Sequence, residues 1–154
     1  MSQRQRFGRK RKGFSLIEVL FAVFMSLMCA TILAATMPIA TASRERADAN
    51  NKATSVAQKQ LEAIRGLGYG NITPNQLLAY KLIDSVTPVS DSTYSFKNVD
   101  KEAKDSVANV LKGGDGNVMI EQIDTDLRRV TVIVTYEDRS GKQEVRLATL
   151  VANL

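Results

Sequence analysis

The sequence predicts an α+β chain, with a long N-terminal helix, membrane-spanning in its first half, packed on a small antiparallel meander of three to four strands. The first sign is an apolar run at residues 14–42, 29 residues long with a single charge, Glu18. The second is a stretch of strong helix formers at 43–65. It places Ala49, Ala53, Val56, Ala57, Gln60 and Ile64 at three- and four-residue spacing, and Leu61 widens the stripe. The third is the alternation of apolar and polar side chains over the last forty residues.

A chain of 154 residues holds one modest domain plus an appendage. The net charge of +5 is unevenly spread. Residues 1–13 carry six bases (Arg4, Arg6, Arg9, Lys10, Arg11, Lys12) and no acid, leaving 15 bases against 16 acids in the rest. The basic character therefore belongs to a short terminal block, which argues against a nucleic-acid-binding fold. There is no His and one Cys. That excludes zinc sites of Cys/His spacing, Ser-His-Asp triads and Cys-His dyads. An internal disulfide is excluded too, and Cys29 reads as a small apolar helix residue.

The elements follow in chain order. Residues 1–13 read as a basic leader. The run 14–42 exceeds the roughly 20 apolar residues that span a bilayer and is longer than a signal-peptide core. Basic residues before it hold the leader in the cytoplasm, which sends the C-terminal part across the membrane. A buried core helix is the alternative, but the remaining chain is too small to cover 29 apolar residues. Glu18 stands out. A carboxylate inside an apolar span costs about 2.5–3.5 kcal/mol. Lys12 lies six residues back, outside helical i−3/i−4 reach. A cation from another molecule would neutralise it, and a free α-amino group is one candidate.

The string Arg11-Lys12-Gly13-Phe14-Ser15-Leu16-Ile17-Glu18-Val19-Leu20 resembles the prepilin signature of type IV pilins and type II secretion pseudopilins. The resemblance implies that a prepilin peptidase cuts between Gly13 and Phe14 and N-methylates Phe14. It implies that Glu18 pairs with the α-ammonium of a neighbouring subunit and sets the assembly register. It implies the pilin fold, and as partners the peptidase, other pilins through the N-terminal helix and an inner-membrane assembly platform. The chain would begin as a single-pass protein of the bacterial cytoplasmic membrane. It would then join a pilus or pseudopilus at the cell surface or in the periplasm. Glycine at 13 suits the cut physically, because without a Cβ the backbone can pass close to protease groups.

The helix is expected to continue to Arg65, about 78 Å from Phe14 if unbroken. Pro38 is expected to kink or locally melt it. Gly66 is expected to stop it as a left-handed cap. The exposed α+β domain then covers 67–154. Thr73-Pro74 marks a helix start over 74–83. Residues 93–99 alternate as a candidate strand. Asp100 is a candidate cap for a short helix carrying Ala103, Val107, Val110 and Leu111. Residues 113–117 form a glycine-rich turn cluster. Strands follow at 118–123, 127–137 and 143–152, separated by turns at 124–126 and 138–142. The sequence 130–136, then Gly141, then 147–151, with LEAIR at 61–65, is most similar to PilV-like minor pilins and the related I-type pseudopilins.

Two further groups of residues resemble sites. Asp115, Asn117, Asp124 and Asp126 flank a strand and could be imagined around calcium, but calcium needs six or more converging oxygens. These strings are ordinary turn chemistry, so no metal and no cofactor is expected. Arg128-Arg129 with Lys142 and Arg146 could form a basic patch, but alternation puts such bases on a solvated strand face, and nucleic acid is not an expected partner. Without a phosphate-binding glycine motif or an arguable carboxylate pair, an enzyme is not expected. The expected function is a structural subunit, a minor pilin of a type IV pilus promoting assembly, adhesion or motility. The alternatives are a pseudopilin of a type II secretion system and an uncleaved single-pass membrane-anchored binding domain.

Overall fold

The computed structural model describes residues 15–100 and 105–153. The chain divides into two compact units, Met1–Ser43 and Arg44–Leu154. Helix α1 (Leu16–Gly66) begins in the first and ends in the second.

In the first unit α1 is an apolar helix. No residue of its apolar window is buried, and Leu16 and Ile17 are 88% and 73% exposed. It is long and apolar enough to cross a membrane. The secondary structure runs through Pro38 unbroken, so the expected local melting does not occur. Proline removes only its own N–H bond, and the bonds on either side keep the ladder. Threonine hydroxyls also fold back on this segment: Thr36 Oγ1 donates to Leu33 O and Thr41 Oγ1 to Pro38 O, each at 3.0 Å.

In the second unit, residues 44–66 of α1 supply one layer of the core. Ala53, Ala57, Gln60 and Ile64 are buried along the stripe that the spacing predicts. Gln60 meets the cost of its burial by donating from Nε2 to Leu82 O. The opposing layer is a four-stranded antiparallel sheet in the order β1 (Thr93–Ser95), β2 (Asp115–Asp124), β3 (Leu127–Asp138), β4 (Gly141–Ala152). Val130, Val132, Val134 and Tyr136 of β3 point to the helix and are at most 5% exposed. In register beside them stand Val118 of β2, and Val145 and Leu147 of β4. This is a meander, and the alternation of its strands places one apolar row per strand on the helix side.

The connections depart from expectation in four places. Gly66 stays in the helix, and the left-handed position is Gly68, at φ 75°. Backbone bonds from Leu67 and Gly68 to Ile64 and Arg65 tighten the last turn first. Helix α2 spans only Pro74–Ala79, with Thr73 accepting from Gln76 N as predicted. It ends early because Lys81 turns left-handed (φ 55°), with Lys81 N bonded to Leu78 O and Leu82 N to Leu77 O, the Schellman pattern. Asp100 caps no described helix. Helix α3 is Val107–Val110 with Ser106 at its N-cap, and Ala103 lies outside the described residues. The 113–117 cluster is a turn only at its start, since pairing of Asp115 with Thr135 and of Asn117 with Ser95 draws it into β2.

The far end of α1 is fastened by one arginine. Arg128 Nη1 donates to Tyr69 O at 3.1 Å and to Ile72 O at 2.8 Å, and its guanidinium lies 4.4 Å from the centre of the Tyr69 ring. Tyr69 Oη donates to Thr125 O at 2.6 Å and accepts from Gln122 Nε2 at 3.0 Å. The loop after α1 is thereby joined to the β2–β3 turn. Arg128→Lys keeps the charge but loses the planar fork and the stack. It is expected to lower stability by about 1.5–3 kcal/mol and to speed amide exchange across residues 67–72. An unchanged melting temperature with unchanged exchange in that loop would contradict this role.

Candidate assembly and processing site

Gly13 and Phe14, the expected cleavage and methylation positions, lie outside the described residues. Ser15 is the first described residue, and its carbonyl accepts from Glu18 N at 3.0 Å and from Val19 N at 3.2 Å. Glu18 is therefore in the first turn of α1, three positions past the flanking Ser15. There its negative charge meets the positive end of the helix dipole, an interaction worth about 0.3–1 kcal/mol at an exposed site. The first four N–H groups of the helix lie in the same turn. Sequence reasoning set Glu18 against distant bases and missed this local contribution. The signal was present: Ser15-Leu16-Ile17-Glu18 has the S-x-x-E spacing of a capping box.

The helix surface around Glu18 is uneven. Glu18, Ala22, Ser26 and Ala30 follow one another at four-residue spacing and, with Val19, Val23 and Leu27, line a shallow groove. Ile17, Leu20, Phe21 and Phe24 form a bulky neighbouring face. The whole surface is exposed in the isolated chain. Small side chains let a second helix approach closely in an apolar setting, and large ones give it something to pack against. Cys29 is an exposed free cysteine on this helix.

The other sequence candidates are placed apart. Asp115 and Asn117 stand at the start of β2, opposite Thr135 and Ile133. Asp124 ends the same strand and Asp126 lies in the following turn, where it accepts from Asn153 Nδ2 at 3.2 Å. About 30 Å of strand separates Asp115 from Asp124 at the two ends of β2, so the four oxygen donors do not converge. Among the described residues no group of three or more His, Cys, Asp or Glu is placed to hold a metal ion. The basic residues are divided as well. Arg128 is spent on backbone carbonyls, Arg129 faces Glu121 at 3.6 Å, and Arg146 pairs with Glu144 at 2.9 Å.

Residues 8–34 match the model of the prokaryotic N-terminal methylation motif. The match takes in Gly13, Phe14 and Glu18 and the first half of the apolar helix. No curated protein and no solved structure is significantly similar to the chain. The motif, with the apolar helix behind it, supports a type IV pilin-like or pseudopilin protein that is processed by prepilin peptidase and associates with a membrane.

Proposed function

We propose that this chain is a structural subunit, a minor pilin, of a type IV pilus, and not an enzyme. The observation that carries the reading is one contiguous segment. The methylation motif at 8–34 runs into the first part of a helix whose apolar window has no buried residue. Before assembly a bilayer covers that surface. After assembly the helices of neighbouring subunits cover it. Because both surroundings are apolar, transfer between them costs little in hydrophobic free energy.

In this reading the peptidase removes the basic leader after Gly13, and Phe14 becomes the N-methylated terminus. Loss of six bases frees the N-terminus from its cytoplasmic hold and creates an ammonium where none existed. Glu18 then receives the ammonium of an adjacent subunit. In a low-dielectric setting an unpaired charge is far costlier than a paired one, so only the axial offset that joins the two groups is stable. The β-sheet domain is then available for contacts that promote assembly or adhesion.

The intact mass and N-terminal sequence of the protein recovered from its native membrane test the reading. The expected result is a chain beginning at N-methylated Phe14. A chain still beginning near Met1 in cells with active peptidase would identify an uncleaved membrane anchor and remove the filament reading.

A further inference from the structure

We propose that β4 is a docking edge. It receives an extended segment of another protein, antiparallel, as a fifth strand of the sheet, apolar along its helix side and ending in a carboxylate opposite Lys142. The edge lies within the second unit. A sheet edge presents a row of unpaired backbone donors and acceptors, which a protein either covers or leaves able to pair. The two edges of this sheet are treated oppositely.

The β1 edge is closed by the chain itself. Thr93 N donates to Ser90 O at 2.6 Å, Val89 N to Thr93 O at 2.7 Å and Asp84 N to Ser95 O at 2.7 Å. The β4 edge is open. Its 12 residues stand in unbroken register with β3 and include no proline. An antiparallel strand turns the backbone groups of alternate residues to one neighbour. Just past β4, Asn153 N donates to Asp126 O at 2.9 Å, in the same register, so the odd-numbered residues of β4 point their N–H and C=O groups to β3. The even-numbered residues from Lys142 to Ala152 therefore point theirs outward, and none of these groups bonds to another segment among the described residues.

The side chains define what fits. On the helix side Val145 and Leu147 are half-buried at the border of the core. A strand with apolar residues opposite them would cover both. On the other side Glu144 and Arg146 neutralise one another at 2.9 Å. Lys142 is exposed and makes no ion pair among the described residues. Ala148, Leu150 and Ala152 are exposed and uncharged. One carboxylate is therefore called for, opposite Lys142, and in the antiparallel direction that is the C-terminal end of the incoming strand. A second β4 fits less well. Outward groups meet only where even-numbered residues face even-numbered ones. Setting Glu144 against Arg146 leaves Lys142 against Ala148 and carries Leu150 and Ala152 past the start of the other strand. The two longest overlaps set Arg146 against Arg146, or Glu144 against Leu150.

Amide hydrogen exchange of the full chain in detergent micelles tests this, with the blocked peptide Leu-Val-Thr-Val-Glu-Val-Lys-Thr-Glu as probe. Its valines fall opposite Thr149, Leu147 and Val145, and its last residue opposite Lys142. At saturating peptide the amides of Glu144, Arg146 and Ala148 are expected to slow about tenfold or more, and that of Thr93 to stay unchanged. Ala148→Pro removes an outward N–H and no bond to β3, a place where a strand tolerates proline. It is expected to abolish the slowing, with the exchange of Val132 and Val134 reporting that the sheet is intact. Lys142→Glu is expected to weaken this peptide about two- to fivefold and to strengthen one ending in Lys by as much. No slowing at the even-numbered amides overturns the docking edge, as does slowing that Ala148→Pro leaves intact. Slowing that grows with protein concentration without peptide identifies a second copy as the occupant and overturns the assignment to another protein. Equal affinity of both peptides for both Lys142 and Glu variants overturns the carboxylate.

Discussion

Glu18→Ala is expected to be cleaved and methylated normally and yet to be lost from filaments. In the proposed reading cleavage depends on the residues around Gly13 and on the leader charges, none of which the substitution touches. Assembly differs. The variant leaves the neighbouring subunit's α-ammonium without its carboxylate in an apolar helical core. Removing one partner of a buried pair costs about 3–5 kcal/mol, so incorporation relative to the parent should fall about a hundredfold or more. The variant also loses a favourable charge at the N-terminus of α1, but that term is smaller, about 0.3–1 kcal/mol. Glu18→Asp keeps both the charge and the dipole interaction while shortening the reach by one methylene, and should restore part of the incorporation. Quantifying the subunit in sheared filaments against the membrane pool distinguishes these outcomes. Normal incorporation of the alanine variant would remove the register argument.

Phe96→Ala is expected to destabilise the β-sheet domain strongly. The ring is 2% exposed and follows β1 directly, with Phe96 N bonded to Gly116 O at 2.8 Å. It lies so close over Gly116 that a Cβ there would stand 2.7 to 2.9 Å from three ring carbons. Glycine at 116 is therefore what lets the ring fill this part of the core. Truncation opens a cavity that the rigid sheet cannot close and costs about 3–5 kcal/mol. Native domains are stable by only about 5–15 kcal/mol. The melting temperature of the detergent-solubilised chain should drop by about 12 °C or more. A drop of less than about 3 °C would mean that the ring does not anchor the α1–sheet interface.

The two effects lie on different links. In the proposed reading Glu18 acts between molecules, through a helix end that is exposed. Phe96 acts within the second unit, on the layer that receives Ala53, Ala57 and Ile64. A variant of one should not disturb the readout of the other, since sites without shared partners usually contribute additively.

The features legible in the sequence are those that depend on near neighbours. The apolar run, the 3/4 stripe from Ala49 to Ile64 and the alternation over most of β3 each express a period of the backbone, and periods are visible without a partner. Thr73 with Pro74 marked a helix start for the same reason, because capping is settled within four residues. The order of β2, β3 and β4 was legible because short turns leave consecutive antiparallel strands little choice but to pair.

The remainder depends on how distant segments pack. That β1 keeps three residues and Phe96 leaves it for the core depends on Gly116, twenty residues away. Arg128 sits in the alternation like any strand residue, and only the approach of the loop after α1 makes it a clamp on Tyr69 and Ile72. Asp115 and Asp124 look like one acidic group in the sequence, but an extended strand holds them at opposite ends. The pairing of Glu45 and Arg46 with a turn more than ninety residues later leaves no local trace, because side-chain contacts between distant segments are fixed by how the layers pack and not by any residue's own neighbours.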